Sequence, residues 1–148
     1  MGELCGRRLD WLDRTLAQQP GKPTLIGMHH PPFQCGIAHM DRIALHRPEA
    51  FAAVVARHPQ VRRIVRGHHH RPVFTLLGDT VASICPSVAH QVELDLADDA
   101  PGLFVMEPPA YQLHRWRPET GVVSHTAYVD AYPGPFPFLP DPDYPGQP

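Results

Sequence analysis

The rhythm of apolar positions changes near the middle of this chain, and the change separates two kinds of architecture. From Glu3 to Gln19 apolar residues recur at helical spacing, with Leu9, Leu12 and Leu16 on one stripe, because positions three and four apart share a helix face. Pro20-Gly21 ends that helix. A short apolar run, Thr24–Met28, then predicts a strand, followed by a loop from His30 to His46 that carries Pro31, Pro32 and Gly36. A second helix is predicted from Pro48 to His58, with proline in the first turn, where a missing amide does no harm, and Phe51, Val54 and Val55 as its buried stripe. Val61–Arg66 reads as the next strand.

From Arg71 onward the helical rhythm is gone. Val73–Leu77, Thr80–Cys85, Gln91–Leu96, Gly102–Met106, Tyr111–Trp116 and Val122–Val129 predict consecutive strands, punctuated by Gly78-Asp79, Asp98-Asp99, Pro108-Pro109 and Glu119-Thr120-Gly121. The expected class is α/β passing into α+β, a mixed or antiparallel sheet with flanking helices. Residues 1–130 read as one unit and 131–148 as a Pro-rich tail. There Pro133, Pro135, Pro137, Pro140, Pro142, Pro145 and Pro148 exclude a helix and favour an extended path. Phe136, Phe138 and Tyr144 of the tail are expected to find burial across a neighbouring subunit.

Composition narrows the function classes. The chain has 148 residues, 43% of them hydrophobic and 19% charged, enough for one domain with a real core. No run approaches the roughly 18 apolar residues of a membrane span, so no membrane partner is expected. A net charge of −2 argues against nucleic acid as a partner, since a phosphate backbone asks for a basic face. Arg62, Arg63 and Arg66 read as one solvated face of a strand. Cys5, Cys35 and Cys85 contain no Cys-x-x-Cys pair and suit free thiols in a reducing cytoplasm, with Cys85 in the core. Met1-Gly2-Glu3-Leu4-Cys5 lacks the basic start and apolar stretch of a secretion signal.

Histidine changes the picture. Of the 11 in the chain, His39, His46, His58, His114 and His125 read as surface or helix-end residues. His29-His30, in front of Pro31-Pro32, and His68-His69-His70, behind Gly67, each end a predicted strand directly, and strand ends of open α/β sheets are where ligand sites gather. In an extended segment residues two apart point to one side, so His68 and His70 are expected to face a common metal centre while His69 faces elsewhere. Gly67 is expected to let the chain leave the strand sharply, and Pro31 to hold His30 extended.

Met28-His29-His30-Pro31-Pro32 and Gly67-His68-His69-His70 resemble the last two metal-binding motifs of the calcineurin-like metallophosphoesterases, in the branch of cyclic-nucleotide and glycerophosphodiester phosphodiesterases. The likeness extends through Leu9-Asp10-Trp11-Leu12, Met40-Asp41, Pro86-Ser87-Val88-Ala89-His90-Gln91-Val92 and Tyr132-Pro133-Gly134-Pro135-Phe136, and is greatest to the glycerophosphodiesterases. It implies a four-layer αββα sandwich, of which this chain would form one side. It also implies metal-dependent hydrolysis of a small phosphodiester, either a glycerophosphodiester or a 3′,5′-cyclic nucleotide. The resemblance assigns His29 and His68 to one divalent ion, His70 to a second and His90 to the substrate phosphate; His30 supports the ligands from behind, and His69 is a variable position. The parent enzyme would hold two ions of manganese, iron, zinc or cobalt and form homo-oligomers.

The family's opening motifs, Asp-x-His, Gly-Asp and Gly-Asn-His followed by Asp or Glu, do not occur here, and Gly78-Asp79 falls in a hairpin turn after the histidines. Those motifs supply the carboxylates that bridge a metal pair and offset its charge. The chain is therefore expected to match the C-terminal half of such an enzyme, with Met1 a truncation or a misassigned start. It should hold one ion or none, be nearly inactive alone, and offer no residue that can be named catalytic. The alternative is a non-catalytic metal-binding or protein-interaction module. A half-domain is further expected to expose apolar surface and to associate through it.

Overall fold

In the computed structural model, which describes residues 1–138, the chain opens with a strand rather than a helix. β1 (Gly2–Glu3) pairs in parallel with β3 (Leu45–His46), and α1 runs from Gly6 to Ala17. The predicted helix start at Glu3 is early because that backbone is taken up by pairing with a distant segment. Leu16 is buried, and Leu9 and Leu12 pack against the same core. β2 (Thr24–Met28) has the predicted bounds. The following loop contains a short helix not read from the sequence, α2 (Ala38–Asp41). The Asp41 carboxylate accepts hydrogen bonds from the Cys35 and Gly36 amides at 2.8 and 2.9 Å, which gives Met40-Asp41 a fold role.

α3 (Pro48–Val55) and β4 (Val61–Arg66) follow, then β5 (Val73–Leu77), β6 (Thr80–Ile84), β7 (Gln91–Val92), β8 (Phe104–Val105), β9 (Ala110–Arg117) and β10 (Gly121–Tyr128). The strands predicted over Gln91–Leu96 and Gly102–Met106 shrink to β7 and β8, paired antiparallel. Between them the chain turns locally, with the Asp95 carboxylate accepting from the Ala97 amide at 2.9 Å and Ala100 N–H donating to the Ala97 carbonyl. A side chain that offers the backbone a turn competes with the ladder.

β2, β4 and β6 are parallel and β5 is antiparallel to β6, in the order β2-β4-β6-β5. The fold is thus a mixed α/β arrangement with few helices. Leu16, Phe51 and Val55 from the helices meet Val61, Ile64 and Ala82 from the sheet in the main core. Val61 and Ile64 both reach it because Thr24 pairs with Val61 but Leu25 with Arg63, which leaves Arg62 as the extra residue of a bulge.

The solvated arginine face is not found. Arg63 and Arg66 are only 7% and 3% exposed, and Arg62 alone is exposed. The Arg66 guanidinium stacks 4.0 Å over the Phe33 ring and that of Arg63 lies 5.8 Å over Phe74, so aromatic faces replace part of the water these cations give up. His58 is also buried rather than superficial, with Nε2 2.7 Å from the Asp13 carboxylate. Cys85 is partly buried rather than core.

The other face of the sheet is barely covered. His114, Trp116 and Val122 of the β9–β10 hairpin line a small cleft with Thr24, Leu25 and Arg62. Leu25, Phe74 and Leu76 remain 45%, 54% and 66% exposed. Residues 131–138 of the tail form no helix or strand, and the rest of the predicted tail, with Pro140 to Pro148 and Tyr144, lies outside the described residues. Among the described residues no helix is long and apolar enough to cross a membrane.

Candidate metal centre

β2 and β4 lie side by side and parallel, with Met28 paired to Arg66, so the histidines that follow both strands emerge at one sheet edge. His68 Nδ1 lies 3.1 Å from His29 Nε2. The His30 ring joins them, its centroid 4.5 Å from that of His68 and 5.0 Å from that of His29. One nitrogen from each of His29, His30 and His68 lies within 4.8 Å of the others.

The first loop is braced. Pro31 and Pro32 are buried, the Leu45 amide donates to the Pro31 carbonyl at 2.9 Å, and Gly2 packs so closely that a Cβ there would collide with the His30 imidazole. The second loop departs from the extended reading. His68 and His70 have φ of 70° and 46°, in the left-handed region, while Gly67 does not. The His69 amide donates back to the Gly67 carbonyl at 2.9 Å across His68, a three-residue turn whose positive φ is rare and strained. Two left-handed residues break the period of two, so the three rings diverge. His68 turns to His29 and His30, His69 turns inward to complete burial, and His70 turns to His90, with Nδ1 3.3 Å from His90 Nε2.

His29 and His68 therefore come together. His70 is outside their cluster and forms a second pair with His90, although the charge of His29 is felt at His70. His30, read from the sequence as a supporting residue, sits within the first cluster. Burial, followed by the charges of neighbouring histidines, lowers the pKa of His30, His68 and His70 below the usual imidazole value. Each ring is thus favoured in the neutral form that a metal requires. His68 Nε2 is buried without a hydrogen-bond partner. Three imidazoles, one of them with an orphaned nitrogen, fit one borderline cation, and the cluster contains no carboxylate to offset a second.

The sequence pattern assigned no role to two positioning residues. Gln91, 2% exposed, accepts from the Ser87 amide at 3.0 Å and donates to the Ser87 carbonyl at 2.8 Å, clamping the loop that presents His90. Gly2 sets the His30 ring. Both act through contacts that no residue pattern encodes.

No family model matches the sequence. Curated relatives do. The chain is 42% identical over 139 residues to the probable glycerophosphodiester phosphodiesterase of Arcobacter nitrofigilis, an alignment covering 93% of this chain and 50% of the relative. It is 34% identical over 135 residues to the glycerophosphodiester phosphodiesterase of Enterobacter lignolyticus, covering 91% and 48%. It is 36% identical over 70 residues to the 3′,5′-cyclic adenosine monophosphate phosphodiesterase of Escherichia coli, covering 47% and 26%. The chain spans about half the length of the glycerophosphodiester relatives. The alignments and the two histidine motifs together make the chain a member of the calcineurin-like metallophosphoesterases, in the glycerophosphodiester and cyclic-nucleotide branch.

Proposed function

We propose that the chain supplies the histidine-bearing half of a metal-dependent phosphodiesterase acting on a small phosphodiester, a glycerophosphodiester or a 3′,5′-cyclic nucleotide. The observation that carries this reading is the meeting of His29, His30 and His68 at one sheet edge, with the His70–His90 pair on the same loop system. His29 and His68 hold one divalent ion, with His30 near enough to complete the set. His70 holds the second. Manganese, iron, zinc and cobalt are all compatible with imidazole donors. When bound, such ions would lower the pKa of water and draw charge from the phosphoryl oxygens. His90, aimed by the Gln91 clamp, directs a ring N–H to a phosphoryl oxygen of the substrate.

Residues 1–130 are one unit of the domain, and the sparsely covered sheet face around Leu25, Phe74 and Leu76 suits the second sheet of a four-layer αββα sandwich. The exposed Leu113, Trp116 and Tyr128 of the β9–β10 hairpin suit a homo-oligomer contact, checked by light scattering of the purified chain. A reducing cytoplasm suits the three unpaired cysteines. The chain by itself, with no carboxylate in its histidine cluster, holds one ion or none in that cluster and turns over little substrate. The same absence favours, as a second reading, a non-catalytic metal-binding or protein-interaction module.

The deciding experiment joins the N-terminal half of the Arcobacter relative to this chain and assays bis(p-nitrophenyl) phosphate across manganese, iron, zinc and cobalt. Metal-dependent turnover by the chimera, lost in His29→Ala and near background for the chain alone, supports the phosphodiesterase. A chimera that binds metal and folds but hydrolyses nothing supports the second reading.

A further inference from the structure

Behind the exposed histidines a second group of ligand-type side chains closes on itself. Cys35 and Asp41 come from the loop after β2 and His69 from the turn after β4, and one donor atom of each lies within 4.8 Å of the other two. Three observations point inward. His69 is fully buried, and neither ring nitrogen makes a hydrogen bond. The Met40 carbonyl is close enough to favour a proton on the ring, though outside hydrogen-bond geometry. An imidazole left so is costly, by roughly 1–3 kcal/mol for each orphaned polar group. The Asp41 carboxylate is held in place by the Cys35 and Gly36 amides, and each oxygen keeps a free lone pair.

The last observation concerns charge. The Arg66 guanidinium is 3% exposed and all its nitrogens lack hydrogen-bond partners. It has the Phe33 face on one side and lies close enough to Cys35 that a thiolate there stabilises it. Neither the guanidinium nor the His69 ring has a hydrogen-bond partner. Burial and the Asp41 carboxylate push the free Cys35 thiol up to about 11, so a thiolate there requires a bound cation.

We propose that Cys35, Asp41 and His69 bind a single zinc-class divalent ion, separate from the His29, His30 and His68 cluster, which fastens the loop after β2 to the turn after β4. The sulfur, nitrogen and oxygen donors select zinc or cobalt over magnesium or calcium, and three protein ligands leave the fourth tetrahedral position to water. On binding, Cys35 releases its thiol proton to solvent. The thiolate and carboxylate then match the two positive charges of the ion, and Arg66 faces the thiolate. The turn that buries His69 is the one that bends through left-handed His68 and His70, so this ion would help to hold the strained geometry that aims His68 at His29.

Cobalt titration of the metal-free purified chain tests the site, because a thiolate ligand gives a sulfur-to-cobalt charge-transfer absorption that imidazoles do not. The band should grow to one equivalent, disappear on adding zinc, and be absent in Cys35→Ser. It should persist in the Cys5→Ser/Cys85→Ser double variant and in the His29→Ala/His68→Ala double variant. Alkylation of the unaltered chain supplies a readout that needs no variant: zinc should shield Cys35 from iodoacetamide while Cys5 reacts. Absence of the band in the unaltered chain, its survival in a folded Cys35→Ser chain, its loss in His29→Ala/His68→Ala, or equal labelling of Cys35 with and without zinc would each overturn the proposal.

Discussion

The two loops that carry the histidines are held in opposite ways. The loop after β2 is braced from outside, by buried Pro31 and Pro32, by the Leu45 amide on the Pro31 carbonyl, and by the Gly2 backbone against His30. The turn after β4 is held from within, by two left-handed residues and a buried imidazole. A braced loop presents its rings at little conformational expense, whereas a bent one stores strain of order 1–3 kcal/mol per residue that surrounding packing must sustain. The site is a meeting of one rigid and one sprung half.

The largest effect should come from acid, and it falls on the sprung turn. Burial pushes the pKa of His69 from 6.5 down to about 4. An unfolded chain takes up this proton near the ordinary histidine value, while the folded chain refuses it until far lower pH. Stability is therefore complete above pH 6.5 and falls as pH drops towards about 4, a loss on the order of 3 kcal/mol from this residue. His30, His68 and His70 are shifted in the same direction and steepen the same limb. Asp13, whose carboxyl is lowered from 3.8 by hydrogen bonds from His58 and Arg57, loses its share only at still lower pH. Urea midpoints of the metal-free chain at pH 7 and 4.5 should differ strongly, and His69→Gln should flatten the difference; an unchanged slope in that variant would break the account of the buried turn.

Next in size is the loss of a ligand from either half. His29→Ala removes a ring from the braced loop and His68→Ala one from the sprung turn, and each should weaken zinc binding at the exposed cluster by at least the roughly 10- to 100-fold that outer partners of a metal site cost. The two should differ in stability. His68→Ala leaves φ of 70° to a residue that tolerates it no better, but removes the buried, unpartnered Nε2. Competition titration against a zinc chelator measures the first effect and urea unfolding the second.

The braced half was far more legible in the sequence than the sprung one. β2, β4 and β5 have the bounds read from the apolar pattern, and Phe51, Val54 and Val55 are the buried stripe of α3. Those readings succeed because a short apolar run beside proline or glycine has few other uses. The left-handed residues did not show, because Gly67, the residue able to adopt positive φ freely, leaves it to His68 and His70. Buried Arg63 and Arg66 were hidden too, since their partners Phe74 and Phe33 lie on other elements. The pairing of β1 with β3 joins segments more than forty residues apart, and no local pattern announces it.

A smaller effect separates the two glycines. Gly2→Ala should drive the His30 ring from its place and cost about 1–2 kcal/mol, as overpacking does, with weaker metal binding as the second readout. Gly67→Ala meets no atom within 4 Å of the added Cβ and has no positive φ, so it should lie within about 0.5 kcal/mol of the unaltered chain. A neutral Gly2→Ala would remove the brace from the comparison.

The smallest change should stabilise the protein. His70 sits at φ of 46°, where a side chain crowds the backbone, and His70→Gly relieves that crowding at the price of a more flexible unfolded chain. The gain should be about 0.5–1 kcal/mol in urea, while the contact with His90 Nε2 is lost. Strain that serves function is exchanged for stability when the functional side chain goes. If His70→Gly instead destabilises the chain, the imidazole contributes more through His90 and packing than its backbone costs, and the turn after β4 is braced after all.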